Sequence, residues 1–295
     1  MATPLSADAL VAALRAEGLT VVEHDGWRTN NRDHIGPWGP VNGVMIHHTV
    51  TSGTAATVDL CFNGYEGLPG PLCHGVIAKD GSVHLVGNGR ANHAGSGDDD
   101  VLAAVIAETA LPAPNENNTD GNTRFYGFEC VNLGDGADPW PEVQLDAIER
   151  ASTAICRAHG WGAGSVIAHK EWTNTKIDPR GFAMSGLRGR IATRLGQAPT
   201  RPVVDLSLLV EAALTDPAAP GTPVTYSGVI HVERALAAEG LLAEGYVDGH
   251  YGTTTVDAYA AWQRRLGYSG ADADGIPGTS SLRALGDRHG FDVEE

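Results

Sequence analysis

Apolar residues recur along this chain in two rhythms, and each change of rhythm marks an element. Short, partly β-branched runs bounded by turn residues predict strands. They are Val44-Met45-Ile46 leading into His47-His48-Thr49, Val76–Ala78, Val83–Val86, Phe125–Val131, and Val166–Ala168 leading into His169-Lys170, with a further start at Val21-Val22. Asp80-Gly81 between the second and third runs predicts a hairpin. Three- and four-residue spacing predicts helices over 6–17, with Ser6 as N-cap and Gly18 as stop, and over 141–159, where Val143, Ala147, Ile148, Ala151, Ile155 and Ala158 share a face. A shorter helix is expected around Val58–Phe62, and a last amphipathic one ending near Leu195. Strands interleaved with helices predict an α/β (α+β) domain, a mixed central sheet flanked by helices, over residues 1–196.

Two stretches break the rhythm. Residues 96–124 are rich in Asp, Asn, Gly and Pro around one apolar patch, Val101–Ala107, and read as an insertion loop whose Asp98-Asp99-Asp100 is a solvated acidic tip. Residues 197–226 open on Ala198-Pro199-Thr200-Arg201-Pro202 and close on Asp216–Pro223, which predicts a semi-rigid linker with one short helix over Val204–Leu214. Beyond it, Asp248-Gly249-His250-Tyr251-Gly252-Thr253-Thr254-Thr255-Val256 is echoed by Asp274-Gly275-Ile276-Pro277-Gly278-Thr279-Ser280-Ser281-Leu282. Each copy makes a tight turn and then caps a helix. With a helix over 229–239, residues 227–295 are expected to form a small all-α three-helix domain.

Composition narrows the partners. The 295 residues carry a net charge of -16 and a mean hydropathy of -0.14. Residues 1–198 hold 14 basic and 22 acidic side chains and residues 199–295 hold 6 and 14, so neither half attracts nucleic acid or an anionic membrane surface. No apolar run is long enough to span a bilayer, and the first residues lack the basic leader and apolar core of a secretory signal. Cys61, Cys73, Cys130 and Cys156 form no C-x-x-C pair; Cys61 and Cys73 flank a Gly/Pro loop and are open to bridging or to remaining free. Trp27 and Trp38, in the polar stretch Gly26–Gly39, read as loop anchors.

The candidate chemistry sits at strand ends. Neighbours on a strand point to opposite faces, so only one of His47 and His48 can face a given site. A strand-end histidine alone is most often a hydrogen-bonded structural residue. Here a second apolar run also ends in histidine, His169, and Asp178 follows nine residues later. Two imidazoles and a carboxylate would leave zinc a fourth position for water, the pattern of a catalytic rather than a closed structural site. Glu129, a carboxylate inside an otherwise apolar strand, is costly there unless paired, hydrogen-bonded or protonated, and suits a general base.

These segments, with Lys176-Ile177-Asp178 and Tyr126-Gly127-Phe128-Glu129, resemble the zinc-dependent N-acetylmuramoyl-L-alanine amidases that share a fold with the peptidoglycan recognition proteins. The resemblance spans roughly residues 20–195. It implies Zn2+ held by His47, His169 and Asp178, Glu129 as general base and Lys176 as oxyanion stabiliser, with His74 and His93 lining the substrate groove. The C-terminal repeat, with Ala261-Trp262-Gln263-Arg264-Arg265-Leu266-Gly267, resembles the peptidoglycan-binding module of wall hydrolases. Together they imply a monomeric hydrolase of bacterial peptidoglycan similar to an actinobacteriophage endolysin. Such a protein waits in the host cytoplasm until released to the wall; a bacterial enzyme exported by another route is the competing origin. The rival functions are a non-catalytic peptidoglycan receptor and a zinc peptidase acting within the stem peptide.

Overall fold

A computed structural model describes residues 2–215 and 224–295. Asp216–Pro223, read above as the close of a linker, lies outside the described residues. The chain divides into two compact units, the first of Met1–Glu17 and Glu23–Pro199, the second of Gly18–Val22 and Thr200–Glu295.

A six-stranded mixed sheet carries the candidate site. In chain order its strands are β1 (Val21–Glu23), β2 (Gly43–His48), β3 (Gly75–Ile77), β4 (Val83–Leu85), β5 (Phe125–Cys130) and β6 (Val166–Ala168), and in space they run β1-β4-β3-β5-β2-β6. The β3–β4 pair is the antiparallel hairpin expected around Asp80-Gly81; β3, β5, β2 and β6 run parallel. Parallel strands are covered on both faces, which is why β2 is buried along its whole length and reads as an apolar run rather than an alternation.

Helices supply the cover: α1 (Ala7–Ala16), α2 (Thr54–Asn63), α3 (Asp99–Ala107), α4 (Glu142–His159), the single turn α5 (His169–Trp172) and α6 (Met184–Leu195). The long helix α4 turns Ala147, Ile148, Ala151 and Ile155 inward and ends at Gly160 in the left-handed conformation that glycine adopts freely. Each fully buried Ile or Leu contributes on the order of 2 kcal/mol. Ser6 caps α1 as expected, accepting a hydrogen bond from the Ala9 amide. Trp27 is a core residue rather than a loop anchor alone, with 2 % of its surface exposed.

The stretch 96–124 departs from expectation. Val101–Ala107 lies within α3, and Asp98 is not part of a solvated tip but a fully buried cap whose carboxylate accepts from the amides of Asp100, Val101, Asn115 and Glu116. One side chain thus starts the helix and ties down the loop that returns from it. All four cysteines are free and buried, Cys61 and Cys73 included.

In the second unit the strand Val203–Asp205 (β7) pairs in parallel with Asp292–Glu294 (β8), and α7 (Leu206–Leu214), α8 (Val229–Ala238), α9 (Thr253–Arg265) and α10 (Thr279–His289) enclose one core. The reading of residues 197–226 as linker meets a difference here. Its short helix is present, but Val204, Leu209 and Ala212 are buried with Leu236, Trp262 and Leu285, so among the described residues α7 packs with the three helices expected over 227–295, which are α8, α9 and α10.

The sequence repeat is also a structural one. Gly249 and Gly275 take matching left-handed angles, φ 86° and 84°, and Asp248 and Asp274 each accept from the amide two residues on. In the first copy Glu233 accepts from the Asp248 and Gly249 amides and from the Thr255 hydroxyl. In the second, Gln263 accepts from the Gly275 amide and donates to the Ile276 carbonyl. A buried polar side chain on one helix therefore fastens the turn that launches the next.

Candidate metal centre and catalytic cleft

Three parallel strands deliver the site. The carboxyl ends of β2, β5 and β6 lie side by side, where open α/β sheets place their ligands. His47 is the fifth residue of β2. His169 is the first residue after β6, in the one-turn helix α5, and Asp178 arrives on the loop that follows. Its backbone carbonyl accepts from the Lys170 amide at 2.9 Å, which binds that loop to the turn carrying His169.

The three candidate ligands meet tightly. His47 Nδ1 is 3.0 Å from His169 Nδ1, and Asp178 Oδ2 is 3.1 Å from each, an almost equilateral triangle of donor atoms in a buried setting. Donors spaced this way can share one ion at zinc's usual distance of roughly 2.0–2.2 Å from each. Burial, reinforced by the neighbouring His169, lowers the pKa of His47 to about 4, so its ring is neutral and offers a lone pair. Burial raises Asp178, but the hydrogen bonds with His169 and His47 outweigh it and hold the carboxyl well below its ordinary range. His47 and Asp178 thus present unprotonated donor atoms at neutral pH, as a divalent cation requires.

Glu129 is the cross-strand partner of His47 in the β2–β5 ladder, with its Oε1 4.0 Å from His47 Nδ1. Its Oε2 is buried without a hydrogen-bond partner. Burial first, then the negative Asp178, raise its pKa to about 8 against the opposing pull of Lys176. A carboxyl with a free buried oxygen beside a cation site can hold and hand on a proton. Lys176 is exposed and lines the same cleft, which has a volume of about 320 Å³ and is bordered on its apolar side by Val50, Leu68, Leu72 and Ile177.

The remaining histidines separate by role. His48 lines the same cleft but stands outside the triangle, and its Nδ1 accepts from the Arg180 amide. His74, expected in the groove, lies beneath it instead: it is fully buried, its Nδ1 accepts from the Gly127 amide and its Nε2 donates to the Gly89 carbonyl. Its hydrogen-bonding capacity is spent on backbone. His93 reaches the cleft wall but is only 7 % exposed, and burial among His47, His74 and His169 holds it well below the usual histidine range.

Several supporting residues were not identified from the sequence. The Asn122 side chain accepts from the amides of His93, Ala94 and Gly95. Glu171 accepts from the Ala168 amide, one residue before His169, and takes both arms of the Arg188 guanidinium at 2.9 Å. Trp172, three residues after His169, is fully buried against Gly97 and Gly121; a Cβ at Gly97 would stand 2.2 Å from its ring. The only sequence signal for the last two glycines was their position between polar residues, which any turn shares. Gly97→Ala is expected to destabilise the first unit by about 2 kcal/mol and to weaken metal binding through the displaced α5 turn. Denaturation and metal titration of the full chain check both.

The family profile described as N-acetylmuramoyl-L-alanine amidase matches residues 37–181, a span that contains the ligand triangle, Glu129 and Lys176. The first unit is such an amidase. Its mixed sheet is flanked by helices, and its substrate is peptidoglycan. Similar solved structures include the amidase LysC from Clostridium intestinale URNW, 17% identical over 58% of this chain and 96% of that one with a TM-score of 0.41. The catalytic domain of XlyA is 16% identical over 59% and 99%, with a TM-score of 0.41. The E. coli amidase AmiD, in complex with anhydro-N-acetylmuramic acid-L-Ala-D-gamma-Glu-L-Lys, is 16% identical over 92% and 98%, with a TM-score of 0.39. No curated protein matches the chain. Among the described residues of the amidase, no helix is long and apolar enough to cross a membrane.

Proposed function

We propose that this chain hydrolyses the amide between the lactyl group of N-acetylmuramic acid and L-alanine of the stem peptide, with zinc bound by His47, His169 and Asp178. The observation that carries the reading is the 3.0–3.1 Å triangle of two imidazole nitrogens and a carboxylate oxygen with the unpartnered Glu129 oxygen beside it. A zinc ion bound there would supply Lewis acidity, polarising a carbonyl and acidifying water towards a pKa of about 7. Glu129 takes the proton of the attacking water on its free oxygen and returns it to the leaving amine. Lys176, exposed at the cleft, stabilises the charge that develops on the substrate oxygen, a role worth on the order of 3 kcal/mol. Val50 and Ile177, 66% and 62% exposed on the cleft border, offer apolar contact to the alanine side chain and its neighbours.

The second unit, with its duplicated turn-and-helix device, is proposed to hold the enzyme on the insoluble wall, where tethering raises the local substrate concentration. Catalytic and binding units on one chain suit wall lysis of the kind a phage endolysin performs.

Mass spectrometry of the products from purified peptidoglycan tests the bond. Peptides with a new L-alanine amino terminus, glycan without new reducing ends, and loss of both on chelation with recovery on adding Zn2+ are expected. Cleavage within the stem would make the enzyme a peptidase, and binding without products would make it a receptor.

A further inference from the structure

His93 was expected at the substrate, yet the structure gives both of its ring nitrogens to the protein. Its Nε2 lies 3.1 Å from the Phe125 carbonyl oxygen, and its Nδ1 lies 3.1 Å from Nε2 of His47. A carbonyl can only accept, so His93 carries its proton on Nε2. Its Nδ1 is then the acceptor, and the proton between the two rings belongs to His47 Nε2. The lone pair of His47 is left on Nδ1, the atom that faces His169 and Asp178. We infer that His93 is a positioning residue for the metal centre, fixing His47 in the Nε2–H tautomer through the relay from the Phe125 carbonyl.

The site is built to hold that ring still. Asn122 gathers the amides of residues 93–95 on one oxygen, which fixes the backbone from which His93 projects. The ring rests on Gly127 in β5, where a Cβ would lie 2.4 Å from its Nδ1. Glycine inside a strand marks such a close approach, and only glycine lets the imidazole lie against the sheet at this point. The rings of His93 and His47 meet edge to face, at an interplanar angle of 86° and a centroid separation of 5.3 Å, so the in-plane nitrogen of one is directed at the other. Partners of this kind, which orient a ligating histidine through its second nitrogen, typically change metal affinity 10–100-fold when removed.

This inference rests on the zinc reading above, and its test separates the two. Zn2+ is titrated into the metal-free full chain against a chromophoric chelator, for the wild type, His93→Leu and His93→Gln. The leucine removes the acceptor; the glutamine can accept from His47 and donate to Phe125. We expect the dissociation constant to rise about 10–100-fold in His93→Leu and to return most of the way in His93→Gln, with KM at saturating Zn2+ changed little. An unchanged dissociation constant with a raised KM would make His93 a substrate contact and overturn the inference. A wild type that binds no Zn2+ would overturn the metal reading itself. Nitrogen-15 correlation spectra of the metal-free wild type give a second readout that needs no variant: the proton on Nε2 of His47 supports the relay, and a proton on its Nδ1 refutes it.

Discussion

Replacing Glu129 by glutamine is expected to cut kcat about 10³-fold while leaving bound Zn2+ near one per chain, because general-base groups contribute roughly 10²–10⁴-fold. Glutamine keeps the shape and the cross-strand position beside His47 but cannot take a proton. The closest approach of Glu129 to His47 Nδ1, 4.0 Å, lies outside the 3.0–3.1 Å triangle, so the ligand set survives the change. The pH profile supplies an independent sign. Burial and Asp178 raise the Glu129 pKa, and a base works only when deprotonated, so the wild-type rate climbs with pH through that ionisation. A bound cation opposes both causes and moves the climb downward from about 8. In Glu129→Gln the residual rate should lose this limb. Loss of Zn2+ together with activity would show that Glu129 ligates rather than transfers protons.

The second large effect is expected in the other unit. Glu233 is fully buried, and burial raises its pKa to about 7 from an ordinary 4.5, against hydrogen bonds from Gly249 and Thr255 that pull it down. The folded state therefore binds this proton more tightly than the unfolded chain does. Its contribution is complete below about pH 4.5, falls as pH rises, and is gone above about 7. The full swing is about 3 kcal/mol. Glu233→Gln should flatten it, since the second copy of the repeat already runs on a glutamine, Gln263. Hydrogen exchange of the Asp248 and Gly249 amides in the intact chain measures the unit directly. The difference between wild type and variant removes opposing groups such as Glu239, which His289 and two arginines hold below its usual range. A wild-type unit that gains stability relative to Glu233→Gln between pH 4.5 and 7 would reverse the assignment.

Legibility in the sequence followed chemistry that is local. His47 and His169 end apolar runs, and Glu129 interrupts one, so their oddity shows within a few residues. The sheet was legible for the same reason: parallel strands buried on both faces announce themselves as unbroken apolar segments. What failed was whatever depends on a partner far away in the chain. His74 and His93 look alike as loop histidines, and only the packing of β3, β5 and the loop over Gly127 separates a buried backbone brace from a partner of His47. Asp98 resembled its solvated neighbours because the amides it caps come from two segments 14 residues apart, around 101 and 115. The helix Leu206–Leu214 sat inside polar, proline-rich flanks that masked the apolar face it turns to Trp262 and Leu285.

His47 and Glu129 occupy one rung of the parallel β2–β5 ladder, whose preceding rungs pair Val44 with Tyr126 and Ile46 with Phe128. The gap between the proposed ligand and the proposed proton carrier is therefore set by the spacing of hydrogen-bonded strands, about 4.8 Å, a dimension common to every sheet. Asp178 and Lys176 instead arrive on a loop, as do Val50, Leu72 and Ile177 of the cleft border. On the proposed mechanism this division makes the enzyme evolvable: insertions and substitutions in the loops would refit the groove to a different stem peptide while the distance between His47 and Glu129 stays as the sheet dictates.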